Sequence, residues 1–232
     1  MLIGIPKEIK PDEYRVGLTP ESVLTLVNGG HQVMVLTNAG LGIGKGDQDY
    51  LKVGAEIVAT RDEIFERAEM VIKVKEPQLD ECALLRQGQI LFTYLHLAPD
   101  PEQTNALVNS GVSAIAYESV VAEDKSYPLL IPMSEIAGRM AVQAGASCLE
   151  KAKGGSGILM GGVTNVDPAK VTIIGGGVVG YNAIEIALGM QANVTVLDKS
   201  ATRLDYLETV FGDDLNAVLA DSASNETFIA EI

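Results

Sequence analysis

The stretch KVTIIGGGVVGYNAIEIALGMQANVTVLD, which runs from Lys170 to Asp198, combines two strand patterns with a helix pattern between them. Val171–Ile174 is a short apolar, β-branched run of the kind that favours a buried strand. A glycine-rich turn follows at once, and an apolar segment with helical periodicity continues to about Met190. Asn193–Leu197 supplies the second strand pattern. The stretch therefore predicts a strand–helix–strand unit of a parallel sheet, with Asp198 at the carboxyl end of its second strand.

The glycine spacing at the start of this helix, Gly175-x-Gly177-x-x-Gly180, is typical of a dinucleotide-binding turn. The first glycine allows the tight turn, the second lets the backbone approach a pyrophosphate, and the third lets helix and strand pack closely. The positive end of the helix dipole would face the phosphates. Asp198 would accept hydrogen bonds from the ribose hydroxyls and repel a 2′-phosphate, so the predicted cofactor is NAD rather than NADP. A glycine triplet alone is weak evidence, but here both strands and the acid accompany it.

The composition limits the class of protein. The 232 residues allow one large or two modest domains, and a formal net charge of −14 argues against binding nucleic acid or an anionic membrane surface. No apolar run of about 18 residues is free of charges and repeated glycines, so no membrane span is expected. The two cysteines, Cys82 and Cys148, have neither metal-ligand nor redox spacing. They suit a reducing cytosol, so we expect a cytoplasmic protein without a metal site.

Strand and helix patterns alternate along the first half of the chain, as expected of a mostly parallel sheet covered by helices. Thr19-Pro20 is typical of a helix N-terminus, and Asp100-Pro101 of a second one whose helix ends near Gly111. The predicted strands are Leu2–Ile5, Gln32–Leu36, Met70–Val74, Gln89–Thr93 and Val112–Ala116.

A long helix and a glycine-dense stretch divide the chain. Ser134 is predicted to cap this helix, which runs to about Ala152, and the same serine is a candidate cofactor contact. We therefore expect a substrate domain over residues 1–133, a linking helix over 134–153 and the first half of an NAD-binding domain over 154–232. The predicted fold class is α/β, with two Rossmann-like lobes, parallel sheets and a ligand cleft between the lobes.

The dinucleotide-binding pattern stops short of its usual extent. After Asp198 the sequence has a helix pattern at Arg203–Phe211, a strand pattern at Ala217–Ala220 and a last helical piece that ends at Ile232. A dinucleotide domain normally has two mononucleotide halves and about six strands. Because a sheet cut there would leave an apolar face and an edge uncovered, we expect this chain to be the N-terminal part of a longer protein.

Three polar side chains follow predicted strands in the first half. Arg15 lies in the loop after the first strand, Lys75 ends the segment VIKVK, and His96 follows the segment LFTYL. Ligands of open α/β sheets bind at the carboxyl ends of the strands. A guanidinium fork and an ammonium together can hold a carboxylate, and a histidine beside them can move a proton near neutral pH.

Each of these three residues also has an ordinary structural interpretation. Lysine and arginine in loops are usually solvated, and Lys73 and Glu76 around Lys75 suggest an exposed charge cluster. His96 stands between two leucines and could be a core histidine that is bonded to backbone. The residues alone leave the catalytic and structural alternatives open.

Several segments resemble, in order along the whole chain, the family of bacterial L-alanine dehydrogenases and the related NAD(P) transhydrogenase alpha subunits. They are IGIPKEIKPDEYRVGLTPESV, VIKVKEP, FTYLHLAPD, PLLIPMSEIAGRMAVQAGA and IIGGGVVG. The histidine in YLHLA favours the alanine enzymes. The resemblance implies NAD-dependent, reversible oxidative deamination of L-alanine to pyruvate and ammonia by a homohexamer. The alternative is the NAD-binding alpha subunit of a proton-translocating transhydrogenase.

The resemblance also implies roles for individual residues. Arg15 and Lys75 would bind the substrate carboxylate and keto oxygen, and His96 would be the general acid and base. The implied contacts to NAD are Ser134, Gly175, Gly177, Val178, Val179, Gly180, Asp198 and Arg203. The two valines would act through backbone N–H groups at the helix start. The family has a further catalytic aspartate in a portion that this sequence lacks, so we expect turnover to require that portion.

Overall fold

The computed structural model describes residues 1–220, and the chain divides into two compact units, Met1–Tyr127 and Pro128–Ile232. Each unit contains a wholly parallel sheet with helices, which confirms the predicted α/β class. The roles assigned to residues 1–133, 134–153 and 154–232 stay predictions. The helical piece predicted to end at Ile232 lies outside the described residues.

The first unit is built on a six-stranded sheet with the order β3-β2-β1-β4-β5-β6. Because the strand order reverses between β1 and β4, the sheet has a topological switch point there, where ligands bind in open α/β sheets. Its strands are β1 (Leu2–Ile5), β2 (Gln32–Leu36), β3 (Glu56–Val58), β4 (Met70–Ile72), β5 (Ile90–Thr93) and β6 (Ser113–Ala116). Its helices are α1 (Pro20–Asn28), α2 (Asp47–Lys52), α3 (Arg61–Arg67), α4 (Leu79–Cys82) and α5 (Pro101–Ser110).

Both faces of this sheet are buried along its central strands, whereas the edge strand β6 is mostly exposed. In β2, Val33 and Val35 belong to one apolar cluster, while Met34 between them belongs to another. Successive side chains of a strand point to opposite faces, so the two clusters lie on opposite sides of the sheet. Continuous apolar strands are the expected sequence pattern for such a sheet.

The predicted helix termini of the first unit are confirmed. The Oγ1 atom of Thr19 accepts the N–H of Ser22 at 3.4 Å at the start of α1. The carboxylate of Asp100 accepts the N–H of Gln103 at 3.0 Å at the start of α5, which ends at Gly111 with φ of 69°. Side-chain caps satisfy free N–H groups at a helix start, and glycine adopts the left-handed conformation at its end without a Cβ penalty.

Up to residue 220, where the described part ends, the second unit has a three-stranded parallel sheet with the order β7-β8-β9. The strand–helix–strand prediction from the Lys170–Asp198 stretch is confirmed in this unit. Its strands are β7 (Lys170–Ile174), β8 (Asn193–Asp198) and β9 (Leu215–Leu219), and its helices are α6 (Ile131–Cys148), α7 (Val178–Gly189) and α8 (Ala201–Phe211). Within residues 1–220, no helix is both long and apolar enough to cross a membrane.

The start of α6 differs from the prediction. Ser134 does not cap this helix: its own N–H donates to the carbonyl of Leu130 at 3.2 Å, so it already lies inside the first turns. Pro132 allows the earlier start, since proline lacks an N–H that the first turn would leave unpaired and has a helical φ. The α-helix ends at Cys148 rather than near Ala152.

Candidate functional site

The carboxyl ends of β1, β4 and β5 lie side by side, because these parallel strands are neighbours in the sheet. Arg15 lies in the loop after β1, and Lys75 and His96 each stand three residues beyond the ends of β4 and β5. The structure therefore brings the three predicted residues to one edge of the sheet, beside its switch point. Electrostatic interactions at this edge couple Arg15 with Tyr94, and Lys75 with Glu13.

The guanidinium of Arg15 is held in a two-point contact by Glu13. Its Nε donates to Oε1 at 2.8 Å and its Nη2 donates to Oε2 at 2.6 Å. These hydrogen bonds lower the pKa of Glu13, against the opposing effect of its burial. Because the Arg15 side chain is still 49% exposed, it can present its remaining donors to a ligand carboxylate that shares or displaces Glu13. Glu13 was not among the site residues predicted from the sequence.

The interpretation of Lys73 and Glu76 as an exposed charge cluster is wrong. The Lys73 side chain is 1% exposed, and its Nζ lies 3.1 Å from Oε2 of Glu8 and 2.8 Å from Oε1 of Glu81. We call these three residues the buried ion cluster. Lys75 is only 19% exposed, with its Nζ 3.7 Å from the carboxylate of Glu76. The segment after β4 thus turns its charges inward rather than into solvent.

The buried ion cluster supports the backbone that leads to Lys75. Oε1 of Glu8 accepts the N–H of Val74 at 2.6 Å and that of Lys75 at 3.4 Å. Burial raises the pKa of Glu8, and the charge of Lys73 and the hydrogen bond from Val74 only partly offset it. Glu8 therefore joins the loop after β1 to the carboxyl end of β4, the two segments that carry Arg15 and Lys75.

His96 is exposed, so its interpretation as a core histidine is wrong. Its ring stacks on that of Tyr94, with centroids 6.0 Å apart and planes at 14°. Its backbone N–H donates to Oε1 of Glu118 at 2.8 Å. Sequence reasoning missed both partners. Glu118 follows a predicted strand, as the three chosen residues do, so the same rule applied to Val112–Ala116 would have selected it.

The glycine turn of the second unit has the geometry that its spacing predicts. Gly175 has a φ of 96°, a conformation that side chains disfavour. A Cβ on Gly180 would lie 1.9 Å from the carbonyl oxygen of Gly175, so only glycine fits there. Gly177 is the N-cap of α7, whose first residues, Val178 and Val179, are exposed. The first N–H groups of a helix lack partners within it and favour an anion.

Asp198 lies at the carboxyl end of β8 and is tied to the glycine turn. Its Oδ2 accepts the N–H of Gly176 at 2.7 Å and its Oδ1 accepts that of Ser200 at 2.9 Å. These backbone hydrogen bonds lower its pKa, so the carboxylate stays ionised at neutral pH. Arg203 also reaches the turn, since its Nε donates to the carbonyl of Gly176 while its guanidinium lies 4.8 Å from the ring centre of Tyr206.

Helix α6 packs closely against α7 beside this turn. A Cβ on Gly138 would lie 2.2 Å from the carbonyl oxygen of Val179, and Nε of Arg139 donates to Oδ1 of Asn182 at 3.0 Å. Ser134 precedes Gly138 by one helical turn and therefore shares the helix face that packs on α7. A contact between Ser134 and a cofactor stays a prediction.

The residues of the second unit fit a dinucleotide on two observations. A Cβ on Gly175 or Gly177 would meet no atom within 4 Å, so the backbone there is open to a pyrophosphate, and each Asp198 oxygen keeps a lone pair for a ribose hydroxyl. Across the described range 1–220, no group of three His, Cys, Asp or Glu side chains is placed to hold a metal ion.

The sequence matches two family descriptions. Residues 4–137 match "Alanine dehydrogenase/PNT, N-terminal domain" and residues 141–232 match "Alanine dehydrogenase/PNT, C-terminal domain". The chain is 54% identical to an alanine dehydrogenase of Methanococcus maripaludis, with 96% of the chain and 60% of the relative covered. It is 52% identical to an alanine dehydrogenase of Bacillus subtilis, with 100% of the chain and 61% of the relative covered.

Two solved structures are also similar. One is an L-alanine dehydrogenase that is 52% identical to this chain. The match covers 100% of this chain and 64% of the chain in that structure, with a TM-score of 0.92. The other is a transhydrogenase from Sinorhizobium meliloti that is 26% identical to this chain. The match covers 100% of this chain and 67% of the chain in that structure, with a TM-score of 0.81. The chain thus spans about three fifths of the length of the curated relatives it matches. With both of its units matched, the chain belongs to the alanine dehydrogenase/PNT family.

Proposed function

We propose that the protein containing this chain catalyses the reversible, NAD-dependent oxidative deamination of L-alanine to pyruvate and ammonia. The observation that carries the proposal is the convergence of Arg15, Lys75 and His96 at neighbouring strand ends, beside the switch point of the first sheet. The whole-chain similarity to alanine dehydrogenases at 52–54% identity supports the same substrate.

The two cations would bind the carboxylate and the keto oxygen of the substrate. Arg15 offers a planar fork whose present partner, Glu13, is itself a carboxylate, so a substrate carboxylate matches the donors already in use. Lys75 offers a compact charge on a backbone that Glu8 holds. Together they would orient the Cα–H bond, and orientation of reacting groups contributes several kcal/mol to catalysis.

His96 would act as the general acid and base. Its imidazole is exposed at the same edge of the sheet as the two cations, where substrate and water reach it. In the deamination direction it would take a proton from the substrate nitrogen and one from the water that adds to Cα, and would return one to the nitrogen as the C–N bond breaks and ammonia leaves; in the amination direction the same transfers would run in reverse.

The second unit would hold NAD, which accepts the hydride from alanine when bound. Backbone N–H groups of Val178 and Val179 would bind the pyrophosphate at the start of α7, and Gly175, Gly177 and Gly180 would let the backbone approach it. Asp198 would accept from the ribose hydroxyls. Arg203, which donates to the turn, and Ser134, on the helix α6 that packs on α7, would add side-chain contacts.

The test compares His96→Ala with His31→Ala, since these are the two histidines of the sequence. The assay follows L-alanine-dependent NADH formation by the full product of the reading frame, because the relatives are longer than this chain. We expect His96→Ala to lower kcat at least ~100-fold with NAD affinity within a few-fold, and His31→Ala to retain activity. Retained turnover in His96→Ala would remove His96 from the mechanism.

The second candidate function is that of an NAD-binding subunit of a proton-translocating transhydrogenase. The similarity to a transhydrogenase structure, at 26% identity and a TM-score of 0.81, is the observation that favours this candidate. In that case the wild-type protein would bind NAD without oxidising L-alanine, and would transfer a hydride between two nucleotides once joined to a partner subunit. L-alanine-dependent NADH formation by the isolated protein would exclude it.

We also propose a cytoplasmic homohexamer, as the family resemblance implies. The support for the compartment is the pair of free thiols, of which Cys82 is buried and Cys148 exposed. Light scattering of the purified protein measures the oligomeric state directly, and a mass other than that of six subunits would contradict the hexamer.

A further inference from the structure

The backbone at His96 has a conformation that residues other than glycine seldom adopt. Its φ is 47°, in the left-handed region, where a Cβ crowds the neighbouring carbonyl. Strained residues of this kind persist only when surrounding contacts determine them, and they concentrate at functional sites. The contacts that hold His96 are therefore the ones to identify.

One carboxylate supplies those contacts. Oε1 of Glu118 accepts the N–H of His96 at 2.8 Å and the N–H of Leu95 at 3.0 Å, and Oε2 lies 3.3 Å from the latter. The pairing of β5 with β6 ends at Thr93 opposite Ala116. Beyond that pair, Glu118 replaces a strand partner by accepting two consecutive N–H groups, and so directs the chain into the turn that exposes His96.

Two further groups fix the same turn. Nε2 of Gln103 donates to the carbonyl of Leu95 at 3.2 Å, on the other side of the peptide that Glu118 holds. The ring of Tyr117 packs edge-on against Tyr94 at 4.9 Å, and Tyr94 in turn stacks on His96. Tyr117 and Glu118 are adjacent, so one short segment after β6 supports both the backbone and the ring of His96.

The charge of Glu118 is maintained at neutral pH. Burial raises its pKa, but hydrogen bonds from the backbone of His96, Leu95 and Glu118 itself and the charge of His96 outweigh this effect and lower it. Hydrogen bonds from N–H groups to an ionised carboxylate are stronger than those to a neutral acceptor. The titratable group that couples electrostatically to Glu118 besides His96 is Tyr94, which also interacts with Arg15.

We infer that Glu118 is the positioning residue for His96: it holds the left-handed turn that presents the imidazole to the substrate. The inference rests on the proposed function of His96 as general acid and base. It assigns Glu118 no contact with the substrate. Its effect on the reaction passes through the placement of His96, where a displacement of about 1 Å can cost ~100-fold in rate.

The kinetic test uses Glu118→Ala, Glu118→Gln and, as a matched control, Glu123→Ala, which alters an exposed glutamate of the following loop. In the full product of the reading frame, we expect Glu118→Ala to lower kcat with alanine ~10- to 100-fold at unchanged NAD affinity. The Glu118→Gln variant should retain most of the wild-type activity, because one amide oxygen can accept both N–H groups. Glu123→Ala should match the wild type.

The double variant His96→Ala/Glu118→Ala separates positioning from an independent role. If Glu118 acts through His96, the double variant should be no slower than His96→Ala alone. A further loss in the double variant, equal to that of Glu118→Ala in the wild type, would overturn the inference. So would wild-type activity in Glu118→Ala.

Amide hydrogen exchange keeps this test independent of the proposed function. In Glu118→Ala, the N–H groups of Leu95 and His96 should exchange at least ~10-fold faster than in the wild type, and those of β5 should not change. Unchanged exchange at both positions would overturn the inference whatever the activity. Absence of alanine turnover in the wild type, with exchange altered as expected, would instead refute the proposed function and leave Glu118 as the group that holds His96.

Discussion

The candidate sites of the two units are made of different groups. In the first unit the site consists of charged side chains at strand ends, with Arg15, Lys75 and His96 each contacted by a carboxylate. In the second unit the site consists of backbone groups, those of a glycine turn and of the helix start that follows it. One aspartate, Asp198, accepts a hydrogen bond from this turn. Substitutions in the first site should therefore act by leaving charged groups unpaired. Substitutions in the second site should act by steric overlap of added side-chain atoms with the backbone.

The largest effect is expected in the buried ion cluster. Lys73→Met leaves the buried carboxylates of Glu8 and Glu81 without their shared cation. Removing one partner of a buried ion pair costs about 3–5 kcal/mol, because the remaining charge stays buried and uncompensated. We expect urea denaturation of the first unit to show a loss of free energy of unfolding of this size.

The matched control is Lys52→Met, which removes an exposed ion pair. Nζ of Lys52 lies 3.4 Å from Asp49, and the lysine side chain is 72% exposed. Such pairs contribute about 0.2–1 kcal/mol at most. Adding Glu8→Gln to Lys73→Met should recover part of the loss, since one buried charge is then removed. Equal stabilities of Lys73→Met and Lys52→Met would break the comparison, because buried charge would then not support the first site.

The next effect distinguishes two glycines of the same helix. Gly180→Ala introduces a Cβ at 1.9 Å from the carbonyl oxygen of Gly175, so the glycine turn must open. We expect a loss of about 1–3 kcal/mol in the free energy of unfolding of the second unit and at least ~10-fold weaker NAD binding, measured by fluorescence titration.

Gly189→Ala is the control at the other end of α7. A Cβ there meets no atom within 4 Å, and its φ is not positive. Alanine is a better helix former, so this variant should be more stable than the wild type by about 0.5–1 kcal/mol, with unchanged NAD affinity. If both variants bind NAD alike, close packing at Gly180 does not determine the cofactor site.

The same contrast explains what the sequence could predict. The second site follows from local rules, because glycine spacing, strand pattern and the acid at Asp198 all lie within one short segment. The edge that carries Arg15, Lys75 and His96 was predictable as well, since each follows a strand. Helix boundaries set by several weak preferences were less so, as Ser134 inside α6 shows.

The pairing of carboxylates with the residues of the first site was not predictable in the same way. Glu8 lies 65 residues before Lys73, and Glu118 lies 22 residues after His96, so the chain pattern does not pair them. From the sequence alone, Lys73 cannot be distinguished from an ordinary surface lysine. Only the fold shows that it is buried between two carboxylates. The short strand Glu56–Val58 was also missed, because only Val58 is buried and three residues carry no periodicity.

The smallest expected effect is a difference in pH dependence between the units. The pKa of Asp198 is lowered by backbone hydrogen bonds, so its contribution to stability is present above about pH 4 and is lost as the pH falls through its folded value. The pKa of Glu8 is raised by burial, so the native state binds an extra proton just above the ordinary glutamate range. Its contribution therefore has the opposite sign: it is present at low pH and is lost as the pH rises.

Amide hydrogen exchange from about pH 2 to about pH 7, a range that includes the acid side of the Asp198 titration, follows each unit separately, with Glu8→Gln and Asp198→Asn as the paired variants. Relative to Glu8→Gln, the wild-type first unit should lose stability as the pH rises through the raised pKa of Glu8. Relative to Asp198→Asn, the wild-type second unit should gain stability as the pH rises from its acid limit. Each effect involves one proton, and solvent screens the half-exposed Asp198, which makes these slopes shallow. Slopes of the same sign would mean that burial does not dominate at Glu8, and that both sites rest on ionised carboxylates.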